Sequence, residues 1–303
     1  MRIQSCGLLA AWLFFLAGGP SMAEETTSSL PPTPESPTPP RPAVVILPRL
    51  FNVPTGDVLH SLDIYVNGGG AFGAEKERSV LARVGVGLGD VAEVEVSTWS
   101  VISTLRKTTS TIPTSAFKMQ IFGQKGPRPS IAWALRGTTS WQQVQDTESS
   151  GAAFRTRLMK LYVVSSRRVG ALHGHVGLGL TDIRVRDPLL WSFRDSSMTE
   201  LQRNLLSPFA GFSYQANPRT FVMVEVEGVP EYRFHANGSF DKKAIRNVGS
   251  GAMGVRFYFS PFVAVDSGVR YRSDYDGIAD ANIHASMNIL FPVNEMRRGG
   301  RRP

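Results

Sequence analysis

From about Val58 to Phe291, apolar residues recur at every second position, the period at which a β-strand sends successive side chains to opposite faces. Val80, Ala82, Val84, Val86 and Leu88 alternate with Leu81, Arg83, Gly85 and Gly87. Val222, Val224 and Val226 alternate with Met223, Glu225 and Glu227, and Ile283 to Phe291 repeats the pattern around His284, Ser286 and Asn288. The alternation predicts an all-β chain with strands near 58–68, 79–89, 91–101, 115–123, 130–138, 153–164, 169–185, 205–216, 220–228, 248–259, 263–272 and 281–291.

The links between these strands alternate in length. Gly89-Asp90, 123–129, 165–168, Asn217-Pro218-Arg219 and Ser260-Pro261-Phe262 are tight, whereas 69–78, 102–114, 139–152, 186–204, 229–247 and 273–280 are longer and polar. Such a rhythm fits a meander that returns to one rim by short turns and to the other by loops. The expected architecture is a transmembrane antiparallel up-and-down β-barrel of about 12 strands. A soluble β-sandwich is the alternative, but Greek-key crossings give no reason for so regular an alternation. One face is Val, Leu, Ile, Ala and Phe, which suits lipid, and the other carries charge and glycine. Trp99, Trp133 and Tyr271 lie toward the longer links and Phe122, Phe221, Phe259 and Phe291 toward the tight ones, as two interfacial aromatic girdles would.

The first part of the chain is of another kind. Arg2, the apolar run Gly7–Gly19 and Ser21-Met22-Ala23 read as a signal peptide over 1–23. Cys6 precedes the apolar run, so it is out of place for lipidation, and cleavage after Ala23 would leave no cysteine and no disulfide framework. Residues 24–57, rich in proline, read as a periplasmic linker, residues 58–291 as the barrel, and residues 292–303 as a basic C-terminal tail. No later apolar run escapes charge, glycine or proline for the roughly 20 residues a transmembrane helix requires.

Lys and Arg number 33 against 25 Asp and Glu, a net charge of +8. An exported chain does not meet nucleic acid, so the acidic partners to expect are lipopolysaccharide phosphates or other envelope polyanions. Part of the excess sits in Arg297, Arg298, Arg301 and Arg302, either a solvated tail or a polyanion contact.

His284-Ala285-Ser286-Met287-Asn288-Ile289-Leu290-Phe291 resembles the closing strand of bacterial outer-membrane β-barrel proteins, with Ser286 where glycine is usual. Gly254 to Phe259 resembles it internally. The resemblance is to the class, over residues 57–293, and implies an outer-membrane location, surrounding lipid and lipopolysaccharide, and recognition by the barrel-assembly machinery.

Three sets of residues invite chemistry. His284 and Ser286 share a face at a spacing similar to the His-x-Ser pair of outer-membrane phospholipases and lipid A deacylases, where histidine activates serine. In those enzymes the pair faces lipid, whereas Ile283, Ala285, Met287 and Ile289 claim that side here, so lumen hydrogen bonding is the competing reading. His173 and His175 also share a face, but two imidazoles make half a metal site, and no metal or cofactor is expected. Asn237-Gly238-Ser239 reads as a turn. Glu93, Glu95, Lys118, Arg136, His173, His175, Glu225, Glu227, Arg256, Asp266 and Arg270 fall on the polar face and would line a lumen. Either they form the selectivity lining of a channel for small polar solutes, the leading expectation, or they pair and fill the lumen of a structural or adhesive barrel.

Overall fold

The computed structural model describes residues 47–73, 79–103, 108–145, 153–186, 200–232 and 245–297. The expected signal peptide, the proline-rich stretch up to residue 46, Asn237-Gly238-Ser239 and the tail from Arg298 lie outside them. The described strands are β1 (Asp63–Phe72), β2 (Ser79–Leu88), β3 (Ala92–Ser103), β4 (Thr108–Phe122), β5 (Ser130–Gly137), β6 (Gln142–Gln145) and β7 (Ala153–Val169). They continue as β8 (Leu172–Arg186), β9 (Glu200–Asn217), β10 (Thr220–Tyr232), β11 (Ile245–Ser260), β12 (Val263–Arg272) and β13 (Asn282–Pro292), followed by the short helix α1 (Val293–Arg297).

Sequence neighbours other than β5 and β6 pair antiparallel, and β1 closes on β13 from Asp63↔Pro292 to Phe72↔Ile283. β5 and β6 both pair with β7, at Met159–Ser166 and Ala153–Thr156 respectively. They are two halves of one stave, so thirteen ladder segments make a closed barrel of twelve staves. At the break, Thr138 donates its N–H to the Leu158 carbonyl and its hydroxyl accepts from the Leu158 N–H, 2.9 and 3.2 Å. A side chain thus replaces the missing ladder partner. Through the turn half the ring is hydrogen-bonded all round and leaves no sheet edge, as a sheet in hydrocarbon requires, while toward the loops β3 parts from β2 beyond Arg83↔Ser97.

The tight connections have the chemistry their length demands. Gly89 and Asp90 adopt φ of 62° and 58°, the left-handed pair of a two-residue hairpin whose twist matches the flanking strands. Toward the opposite rim, β3 and β10, with five staves between them on either side of the ring, meet across the lumen and pair in parallel at Ile102↔Glu231 and Ser103↔Tyr232. That bridge divides the loop half of the interior into two lobes. One is filled by a dry cluster of Trp99, Ile112, Leu158, Ile183, Val185, Leu201, Leu205, Tyr232 and Ile245. The other is lined by polar side chains.

The outward face is an apolar belt. Leu161, Leu180 and Leu206 stand side by side on β7, β8 and β9 and are 48%, 49% and 60% exposed. Val84, Val96, Val226, Met253, Val269, Ile283 and Met287 extend it around the ring. A water-soluble protein would not leave so many large apolar side chains bare; hydrocarbon makes them the favoured surface. The chain is an outer-membrane β-barrel.

Three expectations change. The first strand starts at Asp63, not near 58, and residues 47–57 are not spacer: with Val58 and Leu59 they fold into the lumen. Trp99 and Phe221 are not girdle residues. They share parity with Glu93 and Glu225 and are buried inside, while Phe122, Phe259, Tyr271 and Phe291 do face outward.

Leu180→Arg, at the centre of the belt, should destabilise the folded barrel by about 2–4 kcal/mol. Urea unfolding in detergent, followed by loss of the compact form on unheated gels, checks this; Leu180→Ala should cost far less.

Candidate functional site

The lumen is occupied by the chain's own residues 47–59. Leu50 donates its N–H to the Val53 carbonyl (3.0 Å) and Thr55 to that of Pro48 (3.1 Å), so the segment doubles back as a tight hairpin with Leu50–Val53 at its tip. Leu47 and Leu59, one on each arm, pack together against Tyr65 and Leu290, near the rim where β1 begins and β13 ends. The hairpin therefore enters and leaves by the same rim. Leu62, at a left-handed φ of 62°, turns it from lumen to wall and donates to the Gly87 carbonyl at 2.9 Å.

Charged wall residues hold the tip. The Glu225 carboxylate accepts from the Asn52 N–H (2.9 Å), the Asn52 Nδ2 (3.0 Å) and the Val53 N–H (3.0 Å). Arg256 donates to the carbonyls of Arg49 and Leu50 at 3.0 and 3.1 Å while Asp266 binds its guanidinium at 2.7 and 2.8 Å. Arg49 pairs with Glu95 at 2.7 Å, and Glu95 also draws Arg83 to 3.5 Å. Lower down, Glu93 accepts from the Leu59 N–H and from Lys118, both at 3.0 Å. A hairpin tip exposes backbone donors and acceptors, and burial obliges each to find a partner. Here the wall charges are the partners.

The fit is also steric. Leu50, Phe51 and Val53 belong to one cluster with Ala132, Ala134, Tyr162, Val164, Phe209, Phe221, Met223 and Tyr258. A Cβ at Gly87 would overlap the His60 carbonyl, so glycine there lets the hairpin arm lie against β2.

Of the eleven residues expected to line a lumen, Glu93, Glu95, Lys118, His173, His175, Glu225, Arg256, Asp266 and Arg270 are buried, and Arg136 and Glu227 are half-buried on the same inward face. Six of them bond or pair directly with the hairpin or one another, as above. His284 and Ser286 are buried inside the barrel. Both imidazole nitrogens of His284 lack a hydrogen-bond partner, so Ser286 is not engaged, and the ring stands edge-on to Phe51 at 5.3 Å. Nucleophilic activation needs a histidine–serine hydrogen bond and an orienting group, and neither is present here. His173 and His175 lie with ring centroids 4.2 Å apart; Asp57 stands 3.6 Å from the first and Ser166 2.7 Å from the second. Among the described residues no group of three or more potential ligands could hold a metal.

Beyond the hairpin tip lies a cavity of about 70 Å³ lined by Arg49, Arg83, Arg136, Lys160, Glu227, Arg270 and Arg272 among others. Four of these were not among the expected lining. Arg83 and Lys160 could have been found by parity on β2 and β7. Arg49 could not, because no period marks its segment, although Leu47, Leu50, Phe51 and Val53 are an apolar intrusion after the proline-rich stretch.

No family model matches the chain, and no curated protein matches it. Among solved structures, it is similar to the NanC porin, at 11% identity and TM-score 0.43 over 76% of this chain and all of that one. It is similar to the translocator domain of the autotransporter NalP from Neisseria meningitidis, at 11% identity and TM-score 0.44 over 77% of this chain and 89% of that one. The CymD monoaromatic hydrocarbon channel gives 10% identity and TM-score 0.41 over 77% and 88%. These weak likenesses carry nothing about mechanism. The fold rests on the chain's own closed hydrogen bonding.

Glu225→Leu leaves the hairpin tip with unpaired donors and should cost about 3–5 kcal/mol in docking, as for other broken buried charge networks. Trypsin cleavage after Arg49 should then accelerate by roughly a hundredfold or more, read by mass spectrometry of the folded barrel in detergent.

Proposed function

We propose that the protein is a closed outer-membrane barrel, a structural or adhesive element that presents its loop rim at the cell surface, rather than an open channel. One observation carries this reading: the interior is filled from both ends. The hairpin occupies the half nearest the tight turns, and the dry cluster with the β3–β10 bridge occupies much of the loop half. An ion entering the hairpin half would have to displace side chains packed as in a protein core. The partners this reading implies are the lipid and lipopolysaccharide around the belt and the assembly machinery that inserts the barrel.

A second reading is favoured by a specific feature. The hairpin enters and leaves by one rim, so it could withdraw as a gate and leave a passage for small polar solutes through the polar lobe. Single-channel recording of residues 24–303 in a planar bilayer separates the two. The closed barrel predicts no steps from the parent protein and none from Glu225→Leu. Steps from the variant over a silent parent would assign a gated passage; stable steps from the parent would overturn the closed reading.

A further inference from the structure

The cavity above the hairpin tip has an unbalanced charge, and that imbalance goes beyond a closed scaffold. Three of its cations have no carboxylate partner among the described residues. Arg136 spends its Nε and Nη2 donors on neutral oxygens, Thr114 Oγ1 at 3.1 Å, Ser97 Oγ at 2.9 Å and the Thr98 carbonyl at 2.8 Å, and keeps Nη1. Its guanidinium lies 5.2 Å from the centre of the Trp99 ring. The Lys160 ammonium is 5.3 Å from the Phe209 ring centre and 6.0 Å from that of Trp99, held by aromatic faces.

Arg270 is the most telling. It is 91% buried, yet its Nε and Nη2 have no hydrogen-bond partner. The Tyr162 hydroxyl, also buried in the same lining, has none either. The other three cations are already paired: Arg49 and Arg83 share Glu95, and Arg272 pairs with Asp274 at 2.5 Å. Among the described residues Glu227 is the one carboxylate in the lining, and Glu225 beneath it is committed to the hairpin backbone. Even counting both, positive charge is in excess among the described residues.

An uncompensated cation in a low-dielectric interior is expensive, and an orphaned guanidinium donor adds the desolvation cost of a lost hydrogen bond. Guanidinium forks match the oxygens of phosphate or carboxylate. A cavity of about 70 Å³ has room for roughly five waters or one phosphate-sized group.

We propose that this cavity is a binding site for a small free oxyanion, phosphate or a compound of similar size and charge, held by Arg270, Arg136 and Lys160 with a hydrogen bond from Tyr162. The lining side chains face the interior, on the opposite face from the lipid-facing belt, so the free anion is the occupant.

The test uses the folded full-length barrel in detergent. Inorganic phosphate, titrated against chloride at equal ionic strength, should raise the thermal unfolding midpoint saturably, and equilibrium dialysis with radiolabelled phosphate should give about one site per chain. Arg270→Gln and, separately, Lys160→Gln should each weaken binding by tenfold or more, while Glu227→Gln should strengthen it. Compact mobility on unheated gels establishes folding of each variant. Absence of saturable binding to the parent would overturn the proposal, as would binding undiminished in whichever of the two cation variants fold. So would stabilisation by phosphatidic acid in the micelle without any by inorganic phosphate. Bilayer silence or conductance does not enter this test, so it stands or fails independently of the closed-barrel reading.

Discussion

A ring of twelve staves encloses more space than short inward side chains fill and less than a wide water-filled pore needs. Everything inside this barrel follows from that intermediate width. The wall cannot close over itself with Leu and Phe at every level, and the glycines and small residues of its inner face leave room. The chain meets the deficit in two ways, by drawing β3 against β10 over one half and by folding residues 47–59 into the other.

The second solution explains the charges. A hairpin tip brings unpaired backbone groups into a low-dielectric interior, where each would be costly without a partner. Glu225 takes the donors of Asn52 and Val53; Arg256 takes the acceptors of Arg49 and Leu50. Each wall charge is itself neutralised or shared, as Arg256 is by Asp266. Where the hairpin ends the matching ends too, and Arg136, Lys160 and Arg270 are left facing open space.

The barrel was legible because its rules are local. Parity along Val222–Glu227 decides which side chains face lipid, and link length decides which rim a turn belongs to. Trp99 and Phe221 were misassigned because residue type was weighed above parity; their own alternation places them inside. The hairpin was not legible. Its partners, Glu95, Glu225 and Arg256, lie 46 to 207 residues along the chain, and no local period announces such contacts. The early start given to the first strand has the same origin, since Val58 and Leu59 look strand-like but belong to the returning arm. For the candidate site, sequence identified the charged inward face but not which charges meet each other and which meet nothing.

That both arms of the hairpin pass the same rim has a consequence for biogenesis. A segment threaded from one rim to the other would have to be in place before the ladder between Asp63–Phe72 and Asn282–Pro292 formed, or else draw all the chain before it through the closed ring. A segment that goes in and comes out on one side carries no such topological demand. The ring can close in the bilayer around water, and the hairpin can dock afterwards, expelling that water as Leu50, Phe51 and Val53 find their places. Insertion and sealing are then separate events, the first set by lipid and the second by the protein's own interior.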